Sequence, residues 1–244
     1  MTEELIQFAV QERIATLTLN RPAKLNALTM AMLDGIDAVL KTIDADPECR
    51  VLVVAAAGGK AFSAGADIQA WGPLGPLGMW REWIRRGHQV FERLAGLRQP
   101  AIAAIQGIAF GGGLELALAC DLRLAADSAS FALPETTIGA IPGWGGTQRL
   151  PRLIGAARAK QMIFTGARID AATALQWGLV NEILPAAELL ARAQALARQI
   201  AANAPIAVQT AKQLIDAAHP STPGATLEAL ASAVTAASAD AAEG

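Results

Sequence analysis

The sequence predicts an α/β chain with a parallel-rich core and a helical C-terminal region. Three observations carry that reading. Short apolar runs with β-branched residues alternate with longer segments of helical periodicity, the pattern of strands joined by helical crossovers. The runs at residues 51–56 and 101–106 are apolar at nearly every position, as strands buried on both faces are. After a last short strand at residues 180–184 the chain turns helical, which divides it into a core over 1–184 and a helical region over 185–244.

Taken in order, residues 5–10 and 14–20 read as two strands joined by a tight turn at Gln11 to Arg13. The second strand alternates Thr16, Leu17, Thr18 and Leu19, and Arg21-Pro22 breaks it. A helix follows with Leu28, Met32, Ile36, Val39, Leu40 and Ile43 on one face, ending at Pro47. The strand at 51–56 closes at Gly58-Gly59. A loop region with Gly and Pro covers 61–78, a helix 79–97, and Pro100 stops it. The strand at 101–106 leads through Gly107 and the triplet Gly111-Gly112-Gly113 into a helix from about Leu114. Two short strands are expected at 121–126 and around Phe131, and tail helices at 188–202, 206–217 and 226–237.

Composition narrows the function classes. Of 244 residues, 53% are hydrophobic and 17% charged, which fits either an alanine-rich genome or apolar surface covered between subunits. The net charge of −2 gives no bulk attraction to nucleic acid or to an anionic membrane. No apolar run approaches a bilayer-spanning length, and the acidic N-terminus Met1-Thr2-Glu3-Glu4 resembles no leader, so a cytoplasmic, bacterial protein is expected. Cys49 and Cys120 are too sparse for a disulfide scaffold. With only His88 and His219, and no CxxC or HExxH, no metal site is expected.

The chemistry concentrates in the middle of the chain. Gly111-Gly112-Gly113 follows a strand and opens a helix, which suits either a close approach of backbone N–H groups to an anionic group or tight strand–helix packing. The dinucleotide fingerprint fails because Leu116 stands where its third glycine belongs, and no G-K-[ST] is present. Glu115, just beyond the triplet, is followed by Leu116-Ala117-Leu118-Ala119. A carboxylate in such surroundings is either a helix-start charge or a functional group with a raised pKa. Glu135 follows Phe131-Ala132-Leu133-Pro134 and is flanked in the same way. Two carboxylates converging in a dry pocket serve glycoside cleavage or proton transfer at carbon. Ser63 invites a hydrolase reading, but Ala61 stands where G-x-S-x-G needs its first glycine. Arg81, Arg85 and Arg86 read as a solvated helix face or as partners for an anionic cofactor.

Five segments then resemble one known family. Gly107-Ile108-Ala109-Phe110-Gly111-Gly112-Gly113-Leu114-Glu115-Leu116-Ala117 is similar to the central signature of the crotonase (enoyl-CoA hydratase/isomerase) superfamily. Phe131-Ala132-Leu133-Pro134-Glu135 resembles its second catalytic segment, and Ile141-Pro142-Gly143-Trp144-Gly145-Gly146-Thr147-Gln148-Arg149-Leu150 the stretch after it. Upstream, Asn20-Arg21-Pro22 with Leu25-Asn26-Ala27-Leu28, and Phe62-Ser63-Ala64-Gly65-Ala66-Asp67, match as well. The resemblance runs from about residue 5 to the end.

It implies a crotonase-like spiral of β-β-α units with a C-terminal helical trimerisation region, assembled as a homotrimer or a hexamer. It also implies an acyl-CoA thioester as substrate, with coenzyme A arriving as part of it and no permanently bound cofactor. The thioester carbonyl would sit between the backbone N–H groups of Ala64 and Gly112, and Glu115 and Glu135 would handle water and proton. Substrate contacts would come from Lys24, Leu25, Ala64, Gly65, Ala66, Asp67, Ile68, Gly111, Gly112, Pro134, Gly143 and Trp144. The two glutamates, 20 positions apart, match the hydratases. The activity implied is hydration of a 2-trans-enoyl-CoA to a 3-hydroxyacyl-CoA in fatty acid β-oxidation or related catabolism. Alternatives are a carnitinyl-CoA-type dehydratase, a Δ3,Δ2-enoyl-CoA isomerase, a CoA-thioester hydrolase and, from another class, an RNA-binding homologue.

Three departures from the family pattern stand out. Leu133 occupies a position that is polar in some hydratases. The sequence ends at Gly244, where relatives continue through a segment that helps hold the CoA adenosine. Trp144 stands where hydratases often carry a small residue. Its ring either narrows the acyl site, favouring C4 to C6 chains, or points into the core and fixes the loop carrying Glu135.

Overall fold

The computed structural model describes residues 4–218. Strands β1 (Ile6–Gln11) and β2 (Ile14–Leu19) form an antiparallel hairpin, with Glu12 and Arg13 at positive φ in its two-residue turn. Helix α1 (Met30–Ala45) is capped by Thr29, whose hydroxyl accepts the Met32 amide, and buries Met32, Leu33, Ile36, Leu40 and Ile43. Then come β3 (Val51–Ala56), β4 (Ala61–Ser63), the short helices α2 (Ile68–Trp71) and α3 (Pro76–Gly78), a π-helical segment Met79–Ile84, and α4 (Arg85–Ala95). The next units are β5 (Ala101–Ile105), β6 (Ile108–Phe110) and α5 (Gly112–Leu118), followed by β7 (Leu122–Ala126) and β8 (Ser130–Ala132). Helices α6 (Gly146–Ile154) and α7 (Ala156–Thr165), strand β9 (Ile169–Asp170), α8 (Ala171–Trp177), β10 (Glu182–Leu184), α9 (Leu189–Ala201) and α10 (Pro205–Asp216) complete the order.

The strands make a six-stranded sheet, β1-β2-β3-β5-β7-β10, and a four-stranded sheet, β4-β6-β8-β9. From β2 onward the large sheet is parallel. The pairs β3–β4, β5–β6 and β7–β8 each place their first strand in the large sheet and their second in the small one. A helical segment follows each pair. This is the spiral of β-β-α turns that the family resemblance implied.

Two apolar clusters hold the layers together. The larger fills the space between the sheets and α1, α4, α5 and α6. The smaller covers the outer face of the large sheet, where Leu189, Ala193 and Ala197 of α9 pack on Ile14, Val51, Val53, Ile102 and Leu124. Strand β3 is therefore buried on both faces, which explains its unbroken apolar run. Helix α9 belongs to the packed core although it lies beyond residue 185. Helix α10 is tied to the strand ends by Lys212, whose Nζ donates to Asp121 Oδ2 at 2.9 Å.

Several local expectations change. The loop expected over 61–78 contains β4, α2 and α3, elements of three or four residues that are too short to show a period. The helix expected from residue 79 begins with one π-helical segment before α4. Arg86 is not available to an anionic cofactor, because it pairs with Asp34 and Asp37 of α1. Asp37 also takes Arg93 and Lys41, which clamps α1 to α4. The helix expected over 226–237 lies outside the described residues.

Candidate active site

The site is built where the β4–α2 loop meets the start of α5. Leu25 and Asn26 both adopt positive φ, 51° and 53°, a costly conformation for residues with a Cβ. Asn26 is held there from all sides. Its Oδ1 accepts the Arg21 amide at 2.8 Å, and its Nδ2 donates to Ala57 O and Ala61 O at 3.0 Å. Ser63 Oγ donates to Asn26 O at 2.8 Å and accepts the Gly65 amide at 3.1 Å. That pairing occupies the hydroxyl and ends the hydrolase reading of Ser63. Asp67 takes Arg21 Nη1 at 2.7 Å and caps α2 through Gln69, so its carboxylate serves the loop.

These contacts fix two backbone N–H groups side by side. Gly65, at φ 100°, passes so close to the next unit that a Cβ there would lie 2.8 Å from Phe110 O and 3.2 Å from Gly112 N. A Cβ on Gly112 would in turn lie 3.5 Å from Ala66 N. Among the described residues neither the Ala66 nor the Gly112 amide has a hydrogen-bond acceptor in the protein. Ala64 does not present the open N–H that the family resemblance implied for it. Its amide donates to Leu25 O at 2.9 Å, and Ala66, two positions on, presents the open N–H instead. The alternating backbone of this loop explains the offset, since Ala64 faces the Leu25 segment and Ala66 faces Gly112.

Gly111, at φ 51° and ψ −129°, turns the chain into α5 in a conformation suited to glycine. Glu115 follows on the first turn and is 2% exposed. Its Oε1 accepts the amides of Trp144 and Gly146, each at 2.8 Å. Burial pushes its pKa upward, while those amides, the Gly143 amide and the Arg149 guanidinium pull against that rise. Glu135 opens a 3-10 turn, Glu135–Ile138, after Pro134. Its Oε1 stands 3.0 Å from where a Gly111 Cβ would be, and its buried Oε2 has no partner among the described residues. Burial, with repulsion from Glu115, lifts its pKa to about 7. Two carboxylates of unlike environment thus lie near the glycine triplet, one held by two amides and one with a buried oxygen that has no partner among the described residues.

The other expected site residues are distributed around this centre. Gly65, Ala66, Gly111 and Gly112 form its backbone wall, and Pro134 introduces Glu135. Gly143 gives room to Ile84, whose Cδ1 would lie 2.5 Å from a Cβ there. Lys24 precedes Leu25, which lines a hollow of about 270 Å3 together with Asn26, Gly58, Gly59 and Lys60, and Ile68 is exposed at the start of α2. Lys60 and Asn26 were not singled out from the sequence; only their place in the loop reveals them. Trp144 does not line an open acyl channel with its ring. It is 2% exposed and packs against Trp83 and Phe91, with ring centroids 5.5 and 5.3 Å away. The ring points into the core, but the segment it belongs to carries the amides held by Glu115, not Glu135. A larger hollow of about 990 Å3 lies between α6 and α10, lined by Arg149, Arg152 and Lys212, and neither glutamate reaches it.

Among the described residues no group of three or more His, Cys, Asp or Glu could hold a metal ion. No described helix is long and apolar enough to cross a membrane.

Comparison with known proteins agrees with this geometry. The family profile described as Enoyl-CoA hydratase/isomerase matches residues 9–242. The chain is 44% identical over 204 residues to a short-chain-enoyl-CoA hydratase of Clostridium acetobutylicum, covering 84% of this chain and 78% of that one. It is 40% identical over 212 residues to a crotonyl-CoA hydratase of Syntrophomonas wolfei, covering 87% and 81%. A crystal structure of an enoyl-CoA hydratase from Bacillus anthracis superposes with a TM-score of 0.94 at 40% identity, covering 98% of this chain and 94% of that one. With the β-β-α spiral, the glycine triplet and both glutamates in place, the chain belongs to the enoyl-CoA hydratase/isomerase family.

Proposed function

We propose that this protein is a hydro-lyase, an enoyl-CoA hydratase that adds water to a 2-trans-enoyl-CoA. The observation that carries the reading is the pairing of Glu115 and Glu135 in unlike environments beside two open backbone amides. The relatives named as short-chain and crotonyl-CoA hydratases support it.

In this reading the thioester oxygen accepts hydrogen bonds from Ala66 N–H and Gly112 N–H. Their fixed dipoles stabilise the charge that builds on that oxygen as Cβ is attacked, an effect worth several kcal/mol in comparable sites. Glu115, aligned by its amides, accepts a proton from water as the water oxygen bonds to Cβ. Glu135, titrating near 7, is partly protonated at neutral pH and delivers a proton to Cα. Transfer of the proton from Glu115 back to Glu135 restores both carboxyls, and the sum is one water added, with hydroxyl at Cβ and hydrogen at Cα. We propose that both act on the same face of the double bond, a syn addition. Coenzyme A enters as part of the substrate; the Lys24–Leu25 segment and the hollow beside Lys60 suit its polar end. We further propose a homotrimer or hexamer, a cytoplasmic location and a place in fatty acid β-oxidation or related acyl-CoA breakdown.

A panel of enoyl-, 3-hydroxyacyl- and carnitinyl-CoA thioesters tests the assignment. Fastest turnover of a 2-trans-enoyl-CoA supports it. A preference for 3-enoyl isomerisation or for release of free CoA would replace it with an isomerase or hydrolase reading.

A further inference from the structure

The loop that holds Glu115 is itself held in an unusual way. Glu115 Oε1 depends on the amides of Trp144 and Gly146, and Gly145 between them is at φ 111°. Gly146 opens α6, but Trp144 and Gly145 before it lie outside any helix or strand. The Trp144 side chain is the part of this segment that is buried in the core. The indole lies between two helices at two glycines. On one side, Cε2, Nε1 and Cδ1 sit against Gly87 of α4, so closely that any Cβ on residue 87 would overlap the ring. On the other, Cζ3 and Cε3 sit against Gly112, where a Cβ would lie 2.6 and 2.7 Å from them. Trp83 and Phe91 close the remaining sides. The backbone is fastened to the same helix, since Arg149 donates to Trp144 O at 3.0 Å and to Glu92 of α4 at 2.6 Å.

Packing alone does not account for this choice of residue. Trp144 Nε1 is buried and has no acceptor among the described residues, a feature that costs stability and that phenylalanine would avoid. The fused pair of rings lets one side chain reach both glycines, the Cδ1–Nε1 edge against Gly87 and the Cε3–Cζ3 edge against Gly112, and phenylalanine has a single ring.

We propose that Trp144 is a positioning residue for Glu115: its indole, seated in the Gly87 notch of α4 and against Gly112, holds the loop amides on the carboxylate and the adjacent open amide in place. The proposal rests on the hydratase reading for its catalytic meaning. It makes α4, which carries none of the reacting groups, a determinant of the alignment and ionisation of Glu115. The charged groups acting on Glu115 are Arg149 of α6 and Glu135 of the turn after β8; the remaining partners are the amides of Gly143, Trp144 and Gly146.

The test uses Gly87→Ala, Trp144→Phe and the double variant, each checked for Tm. The readout is the titration of the Glu115 carboxyl by 13C NMR on protein labelled at the glutamate δ-carbon, assigned by its loss in Glu115→Gln. Gly87→Ala pushes the ring and its loop away. Losing amide donors disfavours the ionised form, so the Glu115 titration is expected to move up by about one pH unit. The acidic limb of kcat should follow, with KM changed by less than about twofold. In the double variant the smaller ring should make room for the new methyl and return the titration part of the way. A lowered Tm with an unchanged Glu115 titration in both single variants would reduce Trp144 to packing and overturn the proposal. If the wild-type protein hydrates no enoyl-CoA, the hydratase reading falls, while the NMR titration still decides the positioning claim.

Discussion

Replacing Glu135 with Gln should make the protein less active and more stable at once. The carboxyl is buried, its Oε2 has no partner, and burial together with Glu115 lifts its pKa from an ordinary 4.5 to about 7. Each pH unit of such a rise corresponds to about 1.4 kcal/mol. Ionised Glu135 therefore costs the folded state roughly 3 kcal/mol. The sign follows from linkage. A carboxyl with a raised folded pKa imposes nothing below about pH 4.5, where it is protonated in both folded and unfolded chains. The cost grows as pH rises and is complete above about pH 7. Gln mimics the neutral acid at every pH. The variant should thus exceed the wild type by about 2–3 kcal/mol at pH 8 and by under about 1 kcal/mol at pH 5. Hydration should fall by at least about a hundredfold, the loss expected when a general acid is removed. Urea unfolding at fixed protein concentration, at both pH values, reads the stability arm. Equal midpoints at pH 8, or the same gain at pH 5 as at pH 8, would refute the reasoning.

Glu115→Gln should also lower hydration at least about a hundredfold with KM little changed, and only a severalfold loss would remove it from the mechanism. Ser63→Ala deletes the link between Asn26 O and the Gly65 amide; it should cost about 1–3 kcal/mol in unfolding free energy and lower kcat more than it raises KM. Lys60→Ala should raise KM for the CoA ester and leave kcat unchanged, and a kcat loss alone would detach the hollow from CoA binding. Light scattering at micromolar concentration should give a trimer or hexamer; a monomer would contradict the assembly proposal.

Legibility in the sequence followed length and uniqueness of signal. Strand β3 was readable as an unbroken apolar run of six residues, and helix α1 because sixteen residues give periods enough to count. Strands β4 and β6 were not, since three residues between glycines carry no period. Glu115 and Glu135 stood out as charges in apolar runs, and the structure brings both to the glycine triplet. The open amide was assigned to Ala64 because Ala64-Gly65-Ala66 presents two equivalent alanines. Only the Ala64 bond to Leu25 O separates them. The support around the site was hidden for a related reason. Asn26, Arg21 and Gly87 act through neighbours 35 to 57 residues away in sequence, and no local pattern marks such contacts.

Water addition by the two glutamates is checked by incubating the protein with a short 2-trans-enoyl-CoA in D2O and analysing the product by NMR. The wild type should form a 3-hydroxyacyl-CoA carrying one deuterium at Cα, and Glu115→Gln and Glu135→Gln should each lose that product. Free CoA, a shifted double bond without water uptake, or full activity in either variant would contradict it.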